Sequence, residues 1–201
     1  MAHEIGFLVP QTIITNSPDE AKEFYETCGR EMVFKAIYLE IMDYGKLRLG
    51  IPTTLVTEKH VNRLSLVRGL PALFQELLPK AFELRVTIVG EHIFAVRSRP
   101  SSLNFTAIDW RSPDVLIQLK HDLVTLDRAT VDRCRALMKI LGLSFAAIDF
   151  VGAPDGRLFF LEINPNGQWY WLEQLTGAKI SDAIADVLSE ASNTRNEKGG
   201  D

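Results

Sequence analysis

Two carboxylates and an amide stand where apolar strands run out. In "LSFAAIDFV" Asp149 interrupts an apolar run, and in "FFLEINPNG" Glu162 and Asn164 do so just before a Pro-Asn-Gly break. Side chains alternate along a strand, so Leu158, Phe160, Glu162 and Asn164 are expected on one face, with Glu162 and Asn164 about 6.6 Å apart along it. Ala153-Pro154-Asp155-Gly156 reads as the turn between the two runs. Pairing outward from Asp155-Gly156 sets Asp149 opposite Glu162, where paired Cβ atoms approach to about 5 Å. Two acids and an amide that close repel unless a cation sits among them. An all-oxygen set without His or Cys suits magnesium or manganese, ions that keep waters and grip substrate phosphates. Strand-end acids facing water would show the same spacing, so spacing alone leaves both readings open.

Two isolated cations extend the pattern. Lys35 in "VFKAI" shares a face with Val33 and Ile37, and Arg85 in "ELRVTIV" shares one with Thr87 and Val89. A lysine in such a run either snorkels to an edge or holds a buried anion. Cations and an acid cluster on separate strands describe a polyphosphate site. Neither GxxxxGK[ST] nor GxGxxG occurs, which disfavours a P-loop or dinucleotide-binding answer.

The elements that must position these residues follow from local signals. Residues 5 to 16 read as extended. Ser17-Pro18-Asp19-Glu20 starts a helix, with Ser17 as N-cap and Glu20 closing a capping box, and Gly29 ends it. "MVFKAIYLEI" reads as a strand, as do Thr53 to Thr57 and "ALFQELL", while residues 42 to 70 carry turns near Tyr44-Gly45 and Ile51-Pro52. "ELRVTIVGEHIFAVRS" is a hairpin turning at Gly90-Glu91. Residues 100 to 113 are a polar loop ending in Asp109-Trp110-Arg111. An amphipathic helix over 127–141 puts Val131, Cys134, Leu137, Met138 and Leu141 on one face and stops at Gly142. A last helix is expected over about 178–190, before a polar, disordered tail over 191–201.

The 201 residues suffice for one domain or two subdomains; 46% are hydrophobic and 24% charged. A formal charge of −4 gives no general basic field for nucleic acid. No run of apolar residues is long enough for a membrane span and no secretory signal opens the chain, so a cytoplasmic location is expected. Cys28 and Cys134 lack metal spacing and read as reduced thiols. His3, His60, His92 and His121 also lack it and read as surface or structural.

With these parts in order, the sequence resembles the ATP-grasp superfamily: a strand lysine, "QELL" before "ELRV", an Asp strand, then "LEINPNG". It is similar in particular to the peptide-modifying ligases of microviridin and related graspetide pathways, through "VPQTIITNSPDEAKEF", "LFQELLPKAFELRVTIVG", "IDWR" and above all "EINPNGQWYWLEQLTG". The likeness spans residues 6 to 189. It implies an α/β (α+β) fold of two subdomains with antiparallel-rich sheets clamping ATP: a small subdomain over 1–74 and a C-terminal one over 75–190.

The resemblance also implies roles. Lys35 would contact the ATP phosphates. Gln75, Glu76, Leu77 and Leu78 would form a hinge whose backbone reads the adenine, and Glu83 would hold the ribose. Arg85 would sit near the transferred phosphate. Asp149, Glu162 and Asn164 would bind Mg2+ (or Mn2+), while Asn166 and Gly167 would bring a turn to the phosphates. Arg97 and Arg111 are candidates for acceptor or acyl-phosphate contacts. Trp169 and Trp171 read either as packing beneath the site or as a contact surface.

The implied activity is ATP-dependent carboxylate–amine or carboxylate–hydroxyl ligation, forming side-chain esters or amides in a ribosomal precursor peptide through an acyl phosphate. Family members carry a further domain before the segment resembling "GFLVPQTIITN", so a homodimer or a partner supplying that domain is expected. Residues 39 to 70 lack a glycine-rich lid. Two other readings stay open: a non-catalytic nucleotide- or peptide-binding chain, and an ATP-grasp ligase adding glutamate to a protein terminus.

Overall fold

The computed structural model describes residues 1–37, 42–43, 48–49, 52–101, 108, 115 and 118–198. The chain forms two compact units, one of Pro10–Pro79 with Ser102–Gln118, the other of Met1–Val9, Lys80–Ser101 and Leu119–Asp201. Gln75 to Leu78 thus group with the first unit.

That unit runs β1 (Thr12–Thr15), α1 (Pro18–Thr27), β2 (Met32–Lys35), β3 (Met42–Asp43), β4 (Arg48–Leu49), β5 (Thr54–Leu55), α2 (Glu58–Val61), a 3-10 helix (Leu64–Gly69) and β6 (Ala72–Glu76). Four strands make an antiparallel sheet in the order β1-β6-β2-β5, and β3 pairs with β4. Helix α1 buries Ala21, Phe24 and Tyr25, the one-face spacing of a surface helix, against Met32, Val56, Ala72 and Phe74. Its start differs from the expected capping box. Ser17 Oγ accepts the Glu20 N–H, but the Glu20 carboxylate takes the Thr15 hydroxyl at 2.5 Å, and that hydroxyl oxygen accepts the Ser17 N–H at 2.9 Å. Thr15 lies closer to the Ser17 amide and replaces the glutamate there.

The second unit continues with β7 (Phe82–Val89), β8 (His92–Pro100), β9 (Leu119–Val124), α3 (Arg128–Leu141), β10 (Phe145–Gly152), β11 (Leu158–Asn164), α4 (Tyr170–Thr176) and α5 (Ile180–Lys198). Its antiparallel sheet has the order β11-β10-β7-β8-β9. One face carries Leu84, Val86, Ile88, Ala95, Ala146, Ile148 and Phe150, packed on Phe7 and on Cys134, Leu137 and Met138 of α3. Each large aliphatic buried there contributes roughly 1.5–3 kcal/mol. The other face packs Val89 and Val96 on Leu172 of α4 and on Ile180 and Ala183 of α5. Asp127 caps α3 by accepting the Thr130 N–H at 2.9 Å. Gly142 ends that helix at φ 64, where other residues are strained. Leu141, expected on the apolar face, is 38% exposed because it sits in the last turn before Gly142.

The hairpin closes at Ala153 and Arg157 around Pro154-Asp155-Gly156, one residue out of the register expected from Asp155-Gly156, yet Asp149 does pair with Glu162. The strand does not keep strict alternation, however. Ile163 pairs with Ile148 and Glu162 with Asp149, but Phe160 pairs with Phe150, so Leu161 is an extra residue in a β-bulge. Leu158 and Phe160 therefore join Ile163 in packing against the α3-side core, while Glu162 and Asn164 follow Asp149 and Ala147 onto the other face. The expectation that all four even-numbered residues share a face is corrected. The last helix, expected to end near 190, extends to Lys198, since neither Gly nor Pro interrupts it before Gly199. Among the described residues no helix is long and apolar enough to cross a membrane.

Candidate functional site

The polar face of the larger sheet is built row by row. Arg85 on β7 pairs in register with Asp149 on β10, which pairs with Glu162 on β11. Arg85 Nε donates to Asp149 Oδ1 at 2.9 Å and Nη2 to Oδ2 at 3.1 Å, a two-pronged fork with both side chains about one-fifth exposed. The cation demanded by two facing acids is thus supplied in part by the protein itself. A fork of this kind fixes orientation as well as charge.

Asn164 pairs with Ala147, two residues from Asp149 on the same face. Its Oδ1 accepts the Asn166 N–H at 2.8 Å and its carbonyl accepts the Gly167 N–H at 3.2 Å, so residues 164–167 close a tight turn. A Cβ on Gly167 would lie 2.4 Å from the Ala147 Cβ. Glycine is required because the turn lies directly on β10. Trp169 and Trp171 follow and pack with Leu172 against Val96 and Ile180, on the same face of the sheet. Both tryptophans take part in this packing and stay half-buried.

The neighbouring row adds residues that the sequence reading did not single out. Glu83 accepts a bond from Lys80 Nζ at 2.5 Å. Ser98, across from Glu83, bonds His121 Nδ1 at 2.8 Å, and the His121 ring stands edge-on to Trp171 at 5.7 Å. Pairing outward across Gly90-Glu91 would have found Ser98. His121 lies on a strand whose pairing no local turn reveals. Arg97 is not part of this face. It alternates with Val96 onto the side of Ala95, where its guanidinium lies 6.0 Å from the Phe82 ring and 3.9 Å from Asp122. Arg111, Asp109 and Trp110 lie outside the described residues.

The smaller sheet holds the second set. Lys35 Nζ donates to Gln75 Oε1 at 2.7 Å, and Gln75 Nε2 donates to Thr12 Oγ1 at 2.9 Å. The Glu76 carboxylate accepts the Gln11 N–H at 3.1 Å. The Glu76 and Leu77 N–H groups donate to the carbonyls of Gln11 and Glu31 at 3.0 and 2.8 Å. Leu78 follows at the end of this segment, half-buried.

The donor chemistry fits a hard divalent cation. Asp149, Glu162 and Asn164 present oxygen donors to one face, and Asn164 Oδ1 keeps a lone pair beyond the Asn166 bond. Among the described residues no three His, Cys, Asp or Glu side chains converge; this face sets two carboxylates and the Asn164 amide together. No thiol is poised as a nucleophile: burial pushes the Cys134 thiol up to about 12.

No family model matches the chain, and no curated protein matches it. Solved structures do. The chain has the ATP-grasp fold: it superposes with TM-score 0.85 on a RiPP-associated ATP-grasp ligase of Chryseobacterium gregarium in complex with ADP and a leader and core peptide, at 28% identity over 94% of this chain and 57% of that one. Within that fold it is related in sequence to peptide macrocyclases of Microcystis aeruginosa MRC. MdnC, bound with precursor peptide MdnA, is 34% identical with TM-score 0.81, over 94% of this chain and 58% of that one. MdnB is 32% identical with TM-score 0.68, over 93% and 56%. The chain thus spans a little over half the length of these ligases.

Proposed function

We propose that the chain is the ATP-binding part of a ligase that joins a side-chain carboxylate of a ribosomal precursor peptide to a hydroxyl or amine. The observation that carries this is the row Arg85–Asp149–Glu162, with Asn164 and its turn held on the same face, in a sequence 34% identical to a macrocyclase. In the reaction a substrate carboxylate oxygen attacks the γ-phosphorus of ATP and the bond to ADP breaks. The acceptor then attacks the acyl carbon, phosphate leaves with the bonding pair, and the acceptor loses its proton. The peptide loses one water overall.

The chain's own residues supply electrostatics rather than a nucleophile. Asp149, Glu162 and Asn164 would hold magnesium. Bound there, the ion would offset phosphate charge during transfer. Arg85, fixed by its fork with Asp149, would face the transferred phosphoryl group, and the Gly167 turn would bring backbone N–H groups near it. Glu83, tied to Lys80, would hold the ribose. In the smaller unit Lys35 would meet phosphate oxygens. With the Glu76 and Leu77 N–H groups already engaged, the segment Gln75–Leu78 would offer adenine its carbonyls and the Leu78 N–H. Arg111 would serve the acceptor or the acyl phosphate.

The test is calorimetric titration of the purified chain with magnesium and a non-hydrolysable ATP analogue, repeated on Glu162→Ala. Binding that disappears in the variant supports the site; a well-folded chain that binds nothing overturns it. Product mass on a precursor peptide then separates cross-linking (one water lost) from addition of an amino acid. One observation favours a binding-only role: both Asp149 oxygens already carry Arg85. Nucleotide binding without peptide-dependent phosphate release would establish that role instead.

A further inference from the structure

The resemblance gives Gln75 a hinge position that works through its backbone. Its side chain, 7% exposed, is committed elsewhere. A lysine ammonium only donates, so the amide atom facing Lys35 Nζ at 2.7 Å must be Oε1. That turns Nε2 towards Thr12 Oγ1 at 2.9 Å, and the Thr12 hydroxyl proton goes to the Pro10 carbonyl at 3.0 Å. Proton count leaves no other arrangement of the three groups. The sheet fixes it too: Thr12 pairs with Gln75, Gln75 pairs with Val33, and Lys35 is the next residue on that face of β2.

A glutamate at 75 would hold the same ammonium but cancel its charge. A neutral amide orients the ammonium without cancelling its charge. We propose that Gln75 and Thr12 are positioning residues that aim the Lys35 ammonium at the phosphates of a bound nucleotide. Gln75 acts through its side chain on Lys35, independently of any backbone contact with adenine. This rests on the nucleotide reading above.

A double-mutant cycle on the full chain tests it, read by calorimetric affinity for the ATP analogue with magnesium and by thermal unfolding of each variant. Gln75→Met alone is expected to weaken binding roughly tenfold, the scale of one hydrogen bond to a charged group. In a Lys35→Met background the same change is expected to shift affinity less than about twofold. Equal losses in both backgrounds would overturn the proposal, because Gln75 would then act through the sheet and not through Lys35. Thr12→Val is expected to give the same pattern with a smaller amplitude, and it decides the matter if Gln75→Met does not fold. If Lys35→Met leaves affinity unchanged while wild type binds, Lys35 is no phosphate contact, and that part of the nucleotide reading falls along with the relay.

Discussion

Arg85 in the larger unit and Lys35 in the smaller one are both single cations on an apolar strand, yet they are held by partners of different charge. Arg85 is gripped by a carboxylate through two bonds, while Lys35 donates to the oxygen of a neutral amide. The first arrangement neutralises and locks; the second orients without neutralising. An arginine fork can keep directing N–H groups outward while its net charge is shared, which suits a fixed wall of a site. An amide tether orients a lysine point charge without cancelling it. The same chemical problem, a cation in a greasy sheet, is met by a charged partner in one unit and by a neutral one in the other.

The contrast makes graded predictions. Breaking the fork should cost most. Arg85→Met leaves the Asp149 carboxylate partly buried without its partner, and about 2–3 kcal/mol of unfolding free energy should be lost in urea titration, somewhat under the scale for a fully buried pair. Removing both charges, Arg85→Met with Asp149→Leu, should recover most of that. A single-variant loss below about 0.5 kcal/mol would mean that the fork behaves as an exposed surface pair. Next comes Gly167→Ala: its Cβ would meet the Ala147 Cβ at 2.4 Å, and displacing the turn should cost about 1–3 kcal/mol. Ala147→Gly in the same chain should restore most of the loss in the same titration.

Lys35→Met should cost about 1 kcal/mol through its bond to Gln75, which leaves a neutral amide oxygen there. A loss as large as that of Arg85→Met would erase the distinction between the two units. The smallest effect calibrates the scale. Hydrogen bonds from the Thr130 hydroxyl and N–H hold the Asp127 carboxyl below its usual range. Its folded-state pKa is depressed, so its contribution is complete above the unfolded value and is lost as pH falls through the folded one. Asp127→Asn keeps a cap without the charge. Wild type should therefore lose stability relative to this variant across that acid window in pH-dependent thermal unfolding, and a constant offset at all pH values would contradict it.

Much of this arrangement was legible before any coordinates. The facing of Asp149 and Glu162 was expected from the turn, although it holds because the Leu161 bulge makes up a one-residue difference in register at the turn, and the cap and stop of α3 followed from Asp127 and Gly142. Other features depended on distant partners. Thr15 displaced Glu20 from the Ser17 amide only because β1 turns directly into α1. The Arg85 fork needed β7 to lie beside β10, a pairing no local turn announces. His121 was missed for the same reason, whereas Ser98 lay within reach of the Gly90-Glu91 turn and Lys80 is three residues from Glu83. The bulge was readable after the fact: apolar residues at 158, 160 and 163 cannot all face one core unless a residue is surplus between them.

That surplus residue, Leu161, makes β11 two phrases in different phase. Its first half speaks to the α3-side core and its second half to the polar face. Drawing Leu161 into the ladder opposite Asp149 would carry Glu162 opposite Ile148, into hydrocarbon, and Ile163 opposite Ala147, onto the polar face, without changing any residue. Cutting Leu161 out would instead leave every later residue on the face it now holds, because the bulge already keeps it out of the count.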